Sequence, residues 1–265
     1  MSPSDDRKNA QEPAGQWGVP AWHCNGDRVS LVRPQKPPRP VRVSASPANL
    51  ELDLARCALL VVDMQNDFCH PEGWFGRRGV DLTAVTDVIP KVASAITWAK
   101  RQSVPVIRLN WGLRGDCLEM SPGQLALGGL LRNAEGYGDR PSADADANLV
   151  IGSWGADTLD RLAPENDEIV VHKKRFSGFW HNELDAVLRR LDVTTLLFAG
   201  INTDRCVLAS LQDATFLGYD SLLIEDACAT PSSEQVRESA LVLIRKIYGF
   251  TMNLEALNAL ADADA

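Results

Sequence analysis

Histidine is scarce in this chain, four residues at 23, 70, 172 and 181, and no two of them form an HxH or HExxH pair. The usual spacing of a catalytic metal site is therefore missing. No GxSxG elbow is present, and Gly73, Gly76 and Gly79 form GxxGxxG, the wrong spacing for a dinucleotide fingerprint and without a strand immediately before it. The six cysteines, at 24, 57, 69, 117, 206 and 228, include no CxxC pair and no regular spacing. The first 30 residues contain Asp5, Asp6 and Lys8 and no apolar run of the ~7 to 15 residues of a signal peptide. Reduced thiols in a cytoplasmic protein are the expectation, not a disulfide framework. No stretch approaches the ~18 apolar residues of a membrane span. Basic charge is also short: 27 Lys+Arg against 35 Asp+Glu leave a net charge of -8. Such a surface repels phosphate backbones and anionic lipid, so neither nucleic acid nor membrane is an expected partner.

What is present is ordinary globular composition, 45% hydrophobic and 23% charged over 265 residues. Charge is unevenly spread. Residues 1–50 carry Arg7, Lys8, Arg28, Arg33, Lys36, Arg39 and Arg42 against Asp5, Asp6, Glu12 and Asp27, a balance of +3, so the remaining 215 residues carry -11. The same stretch holds 8 of the 15 prolines and no sustained apolar period, and reads as a basic arm (1–50) preceding a folded domain (51–265).

From residue 57 short apolar runs alternate with helical patterns. Strands are expected at 58–64, 104–111, 168–174, 194–200, 220–226 and 250–253. Between them, Val85, Val88, Ile89, Val92, Ile96 and Ala99 recur at the spacing of one helical stripe, as do Leu184, Val187, Leu188 and Leu191, then Val207, Leu208, Leu211, Ala214 and Leu217, then Val236, Ala240, Leu243 and Ile247. The expected fold is α/β: an open, mostly parallel six-stranded sheet with helices on both faces, a Rossmann-like three-layer arrangement. The exception is residues 112–164, rich in Gly, Asp and Asn, with Leu125, Leu127, Leu130 and Leu131 as the densest apolar patch. A connection that long usually serves a site or an interface.

In open parallel sheets the site lies beyond the carboxyl ends of the strands. Those ends are polar here. Asp63 closes the run ALLVV, where a carboxylate is costly unless paired. Lys173 or Lys174, at the end of another strand, would hold it ionised and leave it able to shuttle a thiol proton. Cys206 falls in the first turn of a helix entered from a strand, about three residues after a cap at Thr203 or Asn202, where free NH groups and the macrodipole favour a thiolate. The NH groups of Asn202 and Cys206 would receive the oxyanion formed when that sulfur attacks a carbonyl. Taken singly, each residue is also at home in a role without chemistry: a core cysteine, or a structural ion pair.

Four segments in this order, ALLVVDMQNDF (58–68), GSWGADTLDRLAP (152–164), VVHKKRFSGF (170–179) and AGINTDRCVLASLQDATFLGYDSLLIEDACAT (199–230), resemble the isochorismatase-like cysteine hydrolases over residues 56–255. The resemblance implies Asp63 as general base, Lys173 as the catalytic lysine with Lys174 its neighbour, and Cys206 as nucleophile. It also implies a cis peptide at Ile201–Asn202 that presents the Asn202 NH to the oxyanion.

Within that family the cysteine marks amide and ureide hydrolases. The metal site of the nicotinamidases, one Asp and two His after the second strand, has no counterpart in NWGLRGDCLEM, so neither metal nor other cofactor is expected. The strongest resemblance is to ureidoacrylate amidohydrolases, on the NW after strand two, the GSW segment and the RFSGF block. Biuret, triuret and N-carbamoylsarcosine hydrolases share much of this. Phe176 departs from the pattern, standing where the ureidoacrylate enzymes place a tyrosine. Asn110, Trp111 and Phe176 are the expected pocket wall around a small amide or ureide substrate. A homo-oligomer, dimer or tetramer, is also implied, and the reading from another class is a non-catalytic binding protein on the same fold.

Overall fold

The computed structural model describes residues 22–33, 36–129, 131 and 133–262. The chain divides into two compact units, Met1–Pro37 and Pro38–Ala265. In the first, β1 (His23–Asn25) pairs antiparallel with β2 (Arg28–Ser30) through a two-residue turn with Gly26 at φ 62. A positive φ at the first turn position suits the right-handed twist of a hairpin.

The second unit opens with another antiparallel hairpin, β3 (Pro40–Val43) and β4 (Leu50–Asp53). Thus residues 40–43, within the stretch read from sequence as an arm, form a strand of this unit. Between the two strands, Ser46 exchanges both backbone hydrogen bonds with Thr251, each at 2.9 Å.

The main sheet contains β5 (Cys57–Val62), β6 (Val106–Trp111), β7 (Ile169–Lys173), β8 (Thr195–Ile201), β9 (Asp220–Ala229) and β10 (Phe250–Met252). Their order is β10-β9-β8-β5-β6-β7 and every neighbouring pair is parallel. β5 and β8 are buried at every residue, because continuous runs such as CALLVV and TLLFAGI suit strands covered on both faces. β9 runs on to Ala229, past the Asp226 expected from sequence, with a register shift against β8 between Phe198 and Gly200. Ser46 pairs with β10, so the β3–β4 connection covers one edge of the sheet.

The helices are α1 (Asn66–Cys69), α2 (Trp74–Arg77), α3 (Thr83–Arg101), α4 (Pro122–Gly128), α5 (Leu184–Arg190), α6 (Leu208–Phe216), α7 (Glu234–Leu243) and α8 (Leu254–Asp262). The α3 stripe of Val85, Val88, Ile89, Val92, Ile96 and Ala99 is wholly buried. The chain steps from β5 to β6 in one direction, and from β7 back to β8, β9 and β10 in the other. Right-handed crossovers then place α3 on one face and α5, α6 and α7 on the opposite face, and α8 packs on α3. The strand order reverses between β5 and β8, where such sheets open a crevice at their carboxyl ends. Among the described residues no helix is long and apolar enough to cross a membrane.

Candidate active site

Both strands at that reversal are followed directly by polar residues, Asp63 after β5 and Asn202 after β8. Asp63 follows β5 with φ 52 and donates its NH to Leu109 O at 3.0 Å. Its side chain is buried, and Oδ2 lies 3.0 Å from Nζ of Lys173, the fully buried last residue of β7. The intervening β6 supplies Trp111, the register partner of Lys173, whose ring lies 4.1 Å from the ammonium. Lys173 Nζ also donates to Arg175 O at 3.2 Å. Lys174 turns elsewhere, its Nζ donating to His181 O at 3.4 Å, so of the two lysines Lys173 is the one that meets Asp63.

β8 approaches β5 so closely that a Cβ at Gly200 would collide with the Val62 carbonyl, and Gly200 has φ 114, where side chains are strained. The next peptide, Ile201–Asn202, is cis. Asn202 stands at the N-cap of a wide π-helical turn, Thr203–Val207, that runs on into α6. Its carbonyl accepts from Arg205 N at 3.0 Å and Val207 N at 3.2 Å, but its side chain makes no capping bond. Cys206 is buried in this turn and its thiol meets the Asp63 carboxylate. Ser210 Oγ donates to Cys206 O at 2.6 Å and accepts Gly178 N at 2.9 Å, tying the Cys206 turn to the RFSGF block.

Electrostatics correct one expectation. Burial, then the adjacent Asp63 charge, push the Cys206 thiol up to about 12 against the opposing pull of Lys173. These two influences favour the thiol, against the thiolate expected from the helix terminus alone. Burial also raises Asp63, with Lys173 and the Cys206 hydrogen bond working against it. The sulfur proton therefore has one carboxylate within reach, itself made more basic than an exposed one.

The expected pocket residues separate. Trp111 and Phe176 meet edge to face at 6.0 Å beside Lys173, and Phe176 remains 43% exposed. Tyr137, from the long segment 112–164, stacks on Trp111 at 5.1 Å, a contact that no sequence pattern announced. Asn110 alternates with Trp111 along β6 and gives Nδ2 to Thr158 Oγ1 at 2.9 Å. The DMQNDF motif anchors the same long segment. Gln65 brackets Trp111, donating to its carbonyl and accepting its NH at 2.8 Å each, while Asn66 donates to Trp154 O at 2.8 Å. Asp67 accepts the NH groups of Trp74 and Leu149 at 3.0 and 2.7 Å. In the apolar patch expected there, Leu127 and Leu131 are exposed and Leu125 is half-buried, whereas Leu113, Leu149, Leu159 and Leu162 of the same segment are buried. Among the described residues no three His, Cys, Asp or Glu side chains gather as a metal-holding group, and all six cysteines are free.

Comparison with known proteins matches residues 57–256 to the isochorismatase domain. A ureidoacrylate amidohydrolase (RutB) from Methylobacterium radiotolerans is 33% identical over 226 residues, covering 83% of this chain and 84% of that one. A second, from Stutzerimonas stutzeri, is 32% identical over 221 residues, 82% of this chain and 87% of its own. Among solved structures, a cysteine hydrolase from Pseudomonas syringae pv. phaseolicola aligns with a TM-score of 0.66 and 24% identity over 80% of this chain and 95% of that one. At that identity the likeness concerns the fold.

Proposed function

The chain belongs to the isochorismatase family, and from that premise we propose that it is a cysteine amidohydrolase cleaving the C–N bond of a small ureide or carboxamide of the ureidoacrylate kind. The observation that carries this reading is one buried carboxylate, Asp63, in contact with both a lysine and a thiol. Asp63 takes the Cys206 proton as the sulfur attacks the substrate carbonyl, and the NH groups of Asn202 and Cys206 hold the resulting oxyanion. Collapse of the tetrahedral adduct breaks the C–N bond. Asp63 returns the proton to the departing ammonia or amine and leaves the acyl or carbamoyl group on sulfur. A water deprotonated by the same carboxylate then attacks that thioester-type intermediate and frees Cys206. Lys173 keeps Asp63 anionic between steps and fixes its position. Trp111 and Phe176 wall the approach, Trp111 also as the surface on which the Lys173 ammonium rests.

The curated relatives at about a third identity are amidohydrolases by name, which supports the reaction class. The experiment is an ammonia-release screen over ureidoacrylate, biuret, triuret and simple amides, run beside Cys206→Ala. Turnover of at least one ureide by the wild type and none by the variant is expected. A variant that keeps even a few per cent of activity sinks the covalent scheme.

A further inference from the structure

Asn202 holds two facts that do not fit a purely structural residue. Asparagine is among the best N-cap residues because its side-chain oxygen satisfies a first-turn NH, yet Asn202 occupies the N-cap and makes no such bond. Its Oδ1 is buried and has no hydrogen-bond partner, in a residue 4% exposed. A buried amide oxygen left unpaired is unfavourable, and native proteins keep few of them without a use. This one belongs to the residue whose backbone NH is assigned above to the oxyanion, four positions from Cys206. One residue thus offers both a donor, its NH, and an acceptor, Oδ1.

We propose that Asn202 reads the substrate as a ureide: its NH donates to the scissile carbonyl oxygen while Oδ1 accepts an N–H from the nitrogen that stays on that carbonyl when the C–N bond breaks. The inference rests on the amidohydrolase reading and narrows it. In R–NH–CO–NH2 the carbonyl is flanked by nitrogen on both sides, so the retained carbamoyl group presents an acceptor and a donor on two atoms bonded to the same carbon. In R–NH–CO–CH3 the retained side is a methyl of nearly the same size with no donor, and Oδ1 stays unpaired through the reaction. Sites with a buried hydrogen-bonding group discriminate strongly against substrates that leave it unmatched, whereas size alone would not separate this pair. Asn202 is on this account a substrate-binding residue, and its discrimination is felt in the carbamoyl-transfer step.

The test uses the full-length enzyme and two matched pairs: (Z)-3-ureidoacrylate with (Z)-3-acetamidoacrylate, and 3-ureidopropanoate with 3-acetamidopropanoate. The ratio of kcat/KM for ureide over acetamide is expected to be tenfold or more in the wild type. It should fall at least tenfold in Asn202→Ala, whatever happens to the absolute rates, and survive in Asn202→Asp, which keeps an acceptor in place. Should Asn202→Ala not fold, Asn202→Leu removes the acceptor at similar volume. A ratio that Asn202→Ala or Asn202→Leu leaves unchanged overturns the assignment, as does a ratio lost in Asn202→Asp. A wild type that hydrolyses both members of a pair equally also overturns it while leaving the amidohydrolase standing. A wild type inert toward both ureides of these pairs overturns the assignment, and one inert toward biuret, triuret and simple amides as well overturns the amidohydrolase reading itself.

Discussion

Lys173 Nζ stands 3.0 Å from Asp63 Oδ2, and neither side chain reaches solvent. Each charge is tolerable at that depth only because of the other. Lys173→Met should therefore cost about 3–5 kcal/mol, the penalty of stranding a buried carboxylate. For a domain of this size that corresponds to roughly 6–20 °C in Tm at ~2–4 °C per kcal/mol. Adding Asn at position 63, in the double variant Asp63→Asn/Lys173→Met, should recover most of the loss. A double variant no more stable than Lys173→Met would show that the pair is not what settles the charge. The deficit should also shrink in acid. Loss of the lysine raises Asp63 further above its ordinary 3.8, and a group raised in the folded state favours folding below its unfolded value and loses that contribution as pH climbs through the folded one.

The second prediction concerns the sulfur proton. With Cys206 pushed up to about 12, iodoacetamide labelling of the substrate-free enzyme should rise about tenfold per pH unit between pH 7 and 10 without levelling, because only the thiolate reacts. The exposed Cys24 should be labelled first at neutral pH. Site-resolved mass spectrometry separates the two. A Cys206 rate that levels off near pH 7 would mean a thiolate already poised by the helix terminus, and would reassign Asp63 from proton acceptor to electrostatic partner.

What the sequence made legible follows from the range of the interactions involved. Continuous apolar runs marked the buried strands, and the six-membered stripe on α3 was read residue by residue, because both signals are local. Asp63 and Lys173 were legible as polar residues closing apolar strands, and Cys206 by its place in the first turn of the helix that follows one. The β3–β4 hairpin was obscured by prolines, although Val41 and Val43 opposite Leu52 and Leu50 carry the alternation of a half-buried pair. The thiol's protonation was not legible, since it depends on burial and on a charge over a hundred positions away in sequence. Tyr137 was not legible either. Its stacking on Trp111 is produced by a long segment whose path is set by Gln65, Asn66 and Asp67, not by periodicity of its own.

Gly200 supplies a third prediction. An added methyl there meets the Val62 carbonyl of the neighbouring strand at a backbone angle, φ 114, that alanine resists. Strain and overpacking each cost about 1–3 kcal/mol, so Gly200→Ala should lose roughly 2–6 kcal/mol in urea denaturation. A loss below about 1 kcal/mol would show that β5 and β8 can part at the point from which the Cys206 turn is launched.

The fourth prediction separates the support of the site from its chemistry. Asp67 bonds to none of Asp63, Lys173 and Cys206, yet it accepts the NH groups of Trp74 and Leu149 and sits against Gly155, where any side chain would collide with its carboxylate. Asp67→Ala leaves two buried donors unpaired, at about 1–3 kcal/mol each, and opens a void beside the segment that carries Tyr137 to Trp111. Global stability should drop by about 2–6 kcal/mol, and limited proteolysis should cut within residues 112–164 sooner than in the wild type. Because that segment covers the indole on which Lys173 rests, kcat/KM should fall while the pH dependence of Cys206 labelling keeps its slope. Asp67→Asn retains one acceptor oxygen and should land between the two. If proteolysis of Asp67→Ala follows the wild-type time course, the long segment is held by Gln65 and Asn66 alone, and the carboxylate serves only the turn into α2.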